Sequence, residues 1–231
     1  MRNLLLFVSL LLLPAALWAK ETTYKYEVSW MGITAGKIKI QVREGKDLVY
    51  LYARSKTVGL ARLLYPLEAT WQTWATKEGY PLRSRIYRKK GDKELTKEFF
   101  FDQKKGVVRR VKNGKVKTYV LEHKPVYDEL SAFWVTMRLD FQKVGETKTL
   151  WIYAHKKANS AQITYLKDEE LKTIFGKVKA KKLKVEFGFE SELVKRAKKA
   201  YLWVYQGKVV KSEGDLPIGH LTGTLKEIKE E

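Results

Sequence analysis

The chain has 231 residues, with 46 Lys and Arg against 26 Asp and Glu, three His and no Cys. That length fits one large domain or two small ones, and 45% hydrophobic against 31% charged residues is enough apolar material for a folded core. The lack of Cys excludes a disulfide framework, a thiolate metal site, a Cys nucleophile and a lipid-modified N-terminal Cys.

Residues 1–19 read as a secretory signal peptide. Arg2 is followed by an apolar run from Leu4 to Leu13, then Pro14, Ala15 and Ala16, with cleavage expected after Ala19. The alternative is an uncleaved N-terminal anchor. No later stretch is long and apolar enough to span a bilayer as a helix. The expectation is an exported, periplasmic chain in which residues 20–231 form a single domain. Removing residues 1–19 takes away Arg2 and no acid, so the formal charge falls from +20 to about +19.

From Lys20 onward the pattern is alternation. Tyr24, Tyr26, Val28 and Trp30 fall on one face, opposite Thr23, Lys25, Glu27 and Ser29; Ile38, Ile40 and Val42 alternate with Lys and Arg in the same way. Period two over such runs means half-buried strands. Turn residues punctuate them at Met31-Gly32, Glu44–Asp47, Lys90-Gly91-Asp92 and Asn113-Gly114. Asn-Gly supplies positive φ at both centres of a two-residue hairpin, so Val107–Lys112 is expected to pair with Lys115–Leu121. Gly59–Leu64, before Pro66, reads as a turn of helix or a loop crossing the sheet. Asp128 caps a helix near 128–139 whose apolar positions Leu130, Phe133, Trp134 and Met137 follow three-and-four spacing. A second, polar helix is expected over Glu190–Lys199. The fold class is therefore mainly β: one antiparallel curved sheet, a β-roll or half-barrel, wrapped on or lidded by one amphipathic helix.

No catalytic constellation emerges. His123, His155 and His220 lie far apart and show no ligand spacing, so neither a metal nor a cofactor is expected. Gly32–Lys37 has one residue too few between its glycines for a phosphate loop and leads into a strand. Ser131 lacks a nucleophile-elbow context, and Asp128 reads as a cap. The expectation is a non-enzymatic protein. Nucleic acid is not expected as a partner, since export and the lack of a binding module argue against it. An integral outer-membrane barrel is rejected as well, because Lys and Arg occupy both faces at Lys177–Lys184 and the C-terminus is charged. The spread of basic residues suits anionic lipid headgroups or acidic polysaccharide; the competing reading is a Lys/Glu-rich, thermophile-like surface.

Aromatic residues are the remaining resource. Tyr65, Trp71 and Trp74 cluster around Pro66, and inside a curved sheet such residues line a pocket for an amphiphile or simply fill a core. Trp71 and Trp74 have opposite parity, so at most one faces a given cavity. The ligand-binding candidates are Trp30 and Trp71 on the wall, with Phe133, Trp134 and Met137 on the lid or plug. The functional expectation is a periplasmic binding protein that holds a lipid or other amphiphile, its tail on aromatics and its anionic head on Lys or Arg. The alternative is a structural envelope module that binds a protein or acidic glycan and has no ligand cavity.

Three segments carry a family resemblance. Tyr26–Gly36, Asp128–Trp134 with Arg138, and Leu202-Trp203 followed by Leu216–Gly219 and Thr222–Leu225 resemble, in order, the opening, central and closing motifs of domain-of-unknown-function family 3108, exported bacterial proteins. The chain departs from the pattern at Tyr205-Gln206-Gly207, where an Asp is usual. The resemblance implies a spiral β-roll similar to lipoprotein-carrier folds and no agreed activity.

Overall fold

The computed structural model describes residues 19–191, 198–215 and 219–231. Residues 1–18 of the expected signal peptide, and 192–197 of the expected second helix, lie outside them. Glu190 and Ser191 are irregular, and Lys199 already opens a strand.

Among the described residues, fourteen strands form one antiparallel sheet. The first half meanders through β1 (Lys20–Trp30), β2 (Ile33–Glu44), β3 (Leu48–Thr57), β4 (Leu67–Thr76), β5 (Pro81–Lys90), β6 (Lys93–Asp102), β7 (Val107–Lys112) and β8 (Lys115–Val120). The second half runs through β9 (Thr147–Ala154), β10 (Lys157–Thr173), β11 (Gly176–Phe187), β12 (Lys199–Tyr205), β13 (Lys208–Asp215) and β14 (His220–Glu230). Each strand pairs with its neighbour in sequence except at one seam, where β1 pairs with β14 and zips the two meanders together. The sheet is not closed: β8 and β9 are its edges, and the segment between them carries the plug helix. The expected β-roll is therefore an open half-barrel.

Local chemistry accounts for the hairpins. Asn113 and Gly114 take φ of 50° and 73°, the left-handed pair that a two-residue turn requires, and Lys112 faces Lys115 across it. Gln206 and Gly207 do the same between β12 and β13, so the departure from the family pattern still closes a tight hairpin. Alternation holds through Tyr24, Tyr26, Ile40 and Val42, all buried. It fails at Trp30, which is exposed: pairing of β1 with β2 slips at Val28/Ser29, and the strand runs past the core to the sheet's rim.

Helix α1 (Gly59–Leu64) bridges β3 and β4 and buries none of its residues. Helix α2 (Glu129–Thr136) lies on the concave side. Asp128 caps it as expected, and Ser131 completes a reciprocal capping box: the Ser131 backbone N–H donates to Asp128 Oδ1 at 2.7 Å, and the Asp128 N–H donates to Ser131 Oγ at 3.1 Å. Leu130, Trp134 and Met137 bury into the main core with Leu51, Ile163, Leu183 and Trp203, and Phe133 packs half-buried against it. A second, smaller core under the β6–β8 flap joins Phe101, Val108, Leu121, Val126 and Tyr153. Among the described residues no helix is long and apolar enough to cross a membrane.

Candidate functional site

A cavity of about 160 Å³ opens where the two cores meet, between the β5–β7 flap, the start of α2 and the β9–β10 turn. The flap contributes Ser84 and Ile86 from β5, Lys97, Phe99 and Phe101 from β6, and Arg110 from β7. These share one face because they are directly paired or alternate along their strands: Ser84 opposes Phe99, Ile86 opposes Lys97, and Phe99 opposes Arg110. Trp71 closes one wall from β4, while Asp128 and Glu129 enter from the helix and Tyr153–Lys156 from the opposite rim. His155 and Lys156 take φ of 50° and 75°, a tight turn that aims the chain back over the cavity.

The polar groups here are unevenly satisfied. Asp128 is deeply buried: Oδ2 accepts from the Thr73 hydroxyl at 2.6 Å and Oδ1 accepts from the Ser131 N–H. Burial pushes its carboxyl above the ordinary value, and the hydrogen bonds from Thr73, Ser131 and Ser84 pull partly the other way. Glu129 accepts from the Ser191 hydroxyl at 2.5 Å, and His155 Nε2 meets the Glu190 carbonyl at 2.6 Å. By contrast Arg110 Nε, the Tyr153 hydroxyl and the Tyr119 hydroxyl are each buried with no hydrogen-bond partner among the described residues. Arg110 lies 5.4 Å from the Tyr119 ring centre, and the Tyr119 and Tyr153 rings are 6.4 Å apart. Burial, then the neighbouring Tyr119, raises the Tyr153 phenol, so it is a neutral donor. Three N–H or O–H groups thus sit together without an acceptor.

The flap brings cations to the cavity, against the Asp128 and Glu129 carboxyls that enter from the helix. Register puts Arg88, Lys97, Arg110, Lys112, Lys115 and Lys117 on the concave face of β5–β8, while Glu94, Glu98 and Asp102 take the convex face. There Glu98 pairs with Arg83 and Glu94 with Lys89. A cavity with an aromatic wall and a cationic lip suits an oxyanion attached to an apolar body.

Of the five aromatic and Met candidates, the cavity takes only Trp71. Trp74, of opposite parity, faces outward against Tyr50 and Arg83, as alternation requires. Trp30 stands on the distant rim, and Phe133, Trp134 and Met137 serve the core. The three histidines stay apart: His123 stacks on Trp151 at 3.7 Å, His155 borders the cavity, and His220 opens β14. Reading the sequence missed Arg110, Tyr119 and Tyr153. A signal existed in the parity of charge across Lys90-Gly91-Asp92-Lys93 and Asn113-Gly114: once both hairpins are registered, the acids of β6 take one face and the cations of β6–β8, all but Arg109, take the other.

A family model described as "Protein of unknown function (DUF3108)" matches residues 25–226. No curated protein matches the chain. Among solved structures, a β-barrel-like protein of domain of unknown function DUF1849 from Brucella abortus superposes with a TM-score of 0.59 at 10% identity, covering 93% of this chain and 98% of that one. A DUF1089-family protein from Pseudomonas aeruginosa gives 0.37 at 12% identity, with 94% and 97% covered. A Bacteroides fragilis protein of YmcC-like fold gives 0.35 at 13% identity, with 90% and 95% covered.

Proposed function

The chain belongs to the DUF3108 family of proteins of unknown function, and from that premise we propose that it is an exported, periplasmic, non-enzymatic binding protein that holds an amphiphile by an anionic head. The observation that carries this is the pair of buried donors that line the cavity beside Trp71, Ile86 and Phe99, Arg110 Nε and the Tyr153 hydroxyl, with Tyr119 packed against both and its hydroxyl, like them, without a partner among the described residues. Buried donors left unpaired cost about 1–3 kcal/mol each, and a ligand oxyanion removes that cost in the bound state alone. The volume bounds the ligand. A cavity of roughly 150 Å³ holds a benzene-sized body, whereas drug-sized ligands take about 300 Å³ or more. The head and its first carbons enter, and any longer tail leaves through the mouth.

The test is native mass spectrometry of the chain secreted into a bacterial periplasm and purified without detergent. An added mass that extracts as one class of anionic amphiphile supports the proposal. Dodecyl phosphate should raise the melting temperature of the delipidated protein, and dodecyltrimethylammonium should not. Both responses should disappear in an Arg110→Gln, Tyr153→Phe variant. A bare mass that dodecyl phosphate and envelope lipids leave unchanged overturns it. The second reading, a structural module binding an envelope protein or acidic glycan, draws on α2: Leu130, Trp134 and Met137 pack into the main core and leave no ligand space of their own.

A further inference from the structure

At the end of the sheet where β1 turns into β2 and β3 passes into β4 lies an apolar cap that the described residues leave uncovered. Leu63 and Leu64 of α1 are 79% and 86% exposed, and Leu60 with them is 67% exposed. Met31 and Ile33, at the tip of the β1–β2 hairpin, are exposed alongside. The two tips form one surface: the Val58 N–H donates to the Ala35 carbonyl at 3.0 Å, and a Cβ on Gly59 would lie 3.7 Å from the Thr34 carbonyl. Single exposed leucines are ordinary, but three on one six-residue helix that buries none of its residues make a patch. The described residues leave its leucines in contact with solvent.

The border of the cap identifies the partner. Trp30 and Tyr65 flank it, and Lys37, Lys56, Arg62 and Lys90 surround it, with the Lys90 ammonium 4.1 Å from the Tyr65 ring centre. The nearest acids are already engaged, Glu27 by Lys226 and Glu68 by Arg54. Apolar tips, interfacial aromatics and a cationic collar are the arrangement that enters the headgroup region of a bilayer. The shape agrees: the leucines project as a convex knob, around which lipid rearranges, whereas a protein partner would need a matching hollow. We infer that α1 and the β1–β2 tip dock this protein onto the surface of an anionic bilayer. Antiparallel order puts this cap at the same end of the sheet as the β9–β10 turn bordering the cavity. Docking therefore turns the cavity's end toward the lipid surface.

The test is sedimentation of the chain recovered from the periplasmic fraction with phosphatidylcholine vesicles, with and without about a third phosphatidylglycerol. The protein should pellet with the anionic vesicles and much less with the neutral ones, and raised salt should release it. Leu63→Glu with Leu64→Glu should weaken partitioning by about tenfold or more, with an unchanged melting temperature because neither side chain supports the core. The Arg110→Gln, Tyr153→Phe variant should pellet as the wild type does, which separates docking from cavity binding. Wild type that stays in the supernatant, or a leucine variant that pellets equally, overturns the inference. So does self-association of the wild type in solution that the leucine variant abolishes, since the cap would then be a protein interface.

Discussion

Replacing Asp128 by Ala and by Asn separates two roles that one side chain combines. Its carboxylate caps α2 through Ser131 and accepts from the Thr73 hydroxyl, all at buried positions. Alanine removes the cap, worth about 1 kcal/mol, and deprives the buried Thr73 and Ser84 hydroxyls of their acceptor, at about 1 kcal/mol or more each. The sum is about 3 kcal/mol, or a fall in melting temperature of about 6–12 °C for a domain of this size. Asparagine caps as well as aspartate, and its amide donates to hydroxyls that turn to accept. It also removes a charge that burial disfavours. Because burial raises the folded pKa of Asp128 above its ordinary 3.8, the folded state holds this proton more tightly than the unfolded chain does. That contribution to stability is fully present below 3.8 and is lost as pH rises through the folded value. At pH 7 Asp128→Asn should therefore be at least as stable as the wild type, and its relative standing should fall as the pH drops into the acid range. Urea unfolding followed by tryptophan fluorescence between pH 3.5 and pH 8, roughly the range over which a buried carboxyl titrates, reads both variants. If Asp128→Asn unfolds as easily as Asp128→Ala at pH 7, the carboxylate charge has a cationic partner that this account lacks, and the reasoning fails.

Two other substitutions probe the cavity and the turn beneath the helix. Tyr153→Phe deletes a buried hydroxyl with no acceptor among the described residues, so the ligand-free protein should gain about 1 kcal/mol, seen as a rise of a few degrees in calorimetry. A loss of stability would mean that the hydroxyl is satisfied within the fold. Gly79, in the β4–β5 turn, has φ of +90°, and a Cβ there would meet Val135 of α2 at an overlapping distance. Gly79→Ala should cost about 3 kcal/mol in chemical denaturation, from left-handed strain and the displaced helix together. A cost below about 1 kcal/mol would show that α2 yields freely there.

Much of the architecture is local and was legible. Alternation in β1 and β2, the Asn113-Gly114 turn and the Asp128 cap each depend on residues within a few positions of one another, where side-chain period and backbone φ preferences act directly. The family motifs are legible for the same reason, and their described residues lie at the hairpin tip, the capped helix and the closing strands. Trp30 shows where that logic stops: parity assigns it a buried face, but a pairing slip at Val28/Ser29 and the end of the core leave it on the rim. The sequence by itself determined an antiparallel β-roll with one plugging helix, because strand faces, turns and caps are short-range properties. The tertiary structure decided which strands meet at the β1–β14 seam, that Trp71 alone of the proposed ligand residues reaches this cavity, and that Arg110, Tyr119 and Tyr153 converge without an acceptor among the described residues. Those are long-range outcomes of sheet curvature and register, and short-range rules of period, turn and cap do not encode how far a sheet coils before its edges stop.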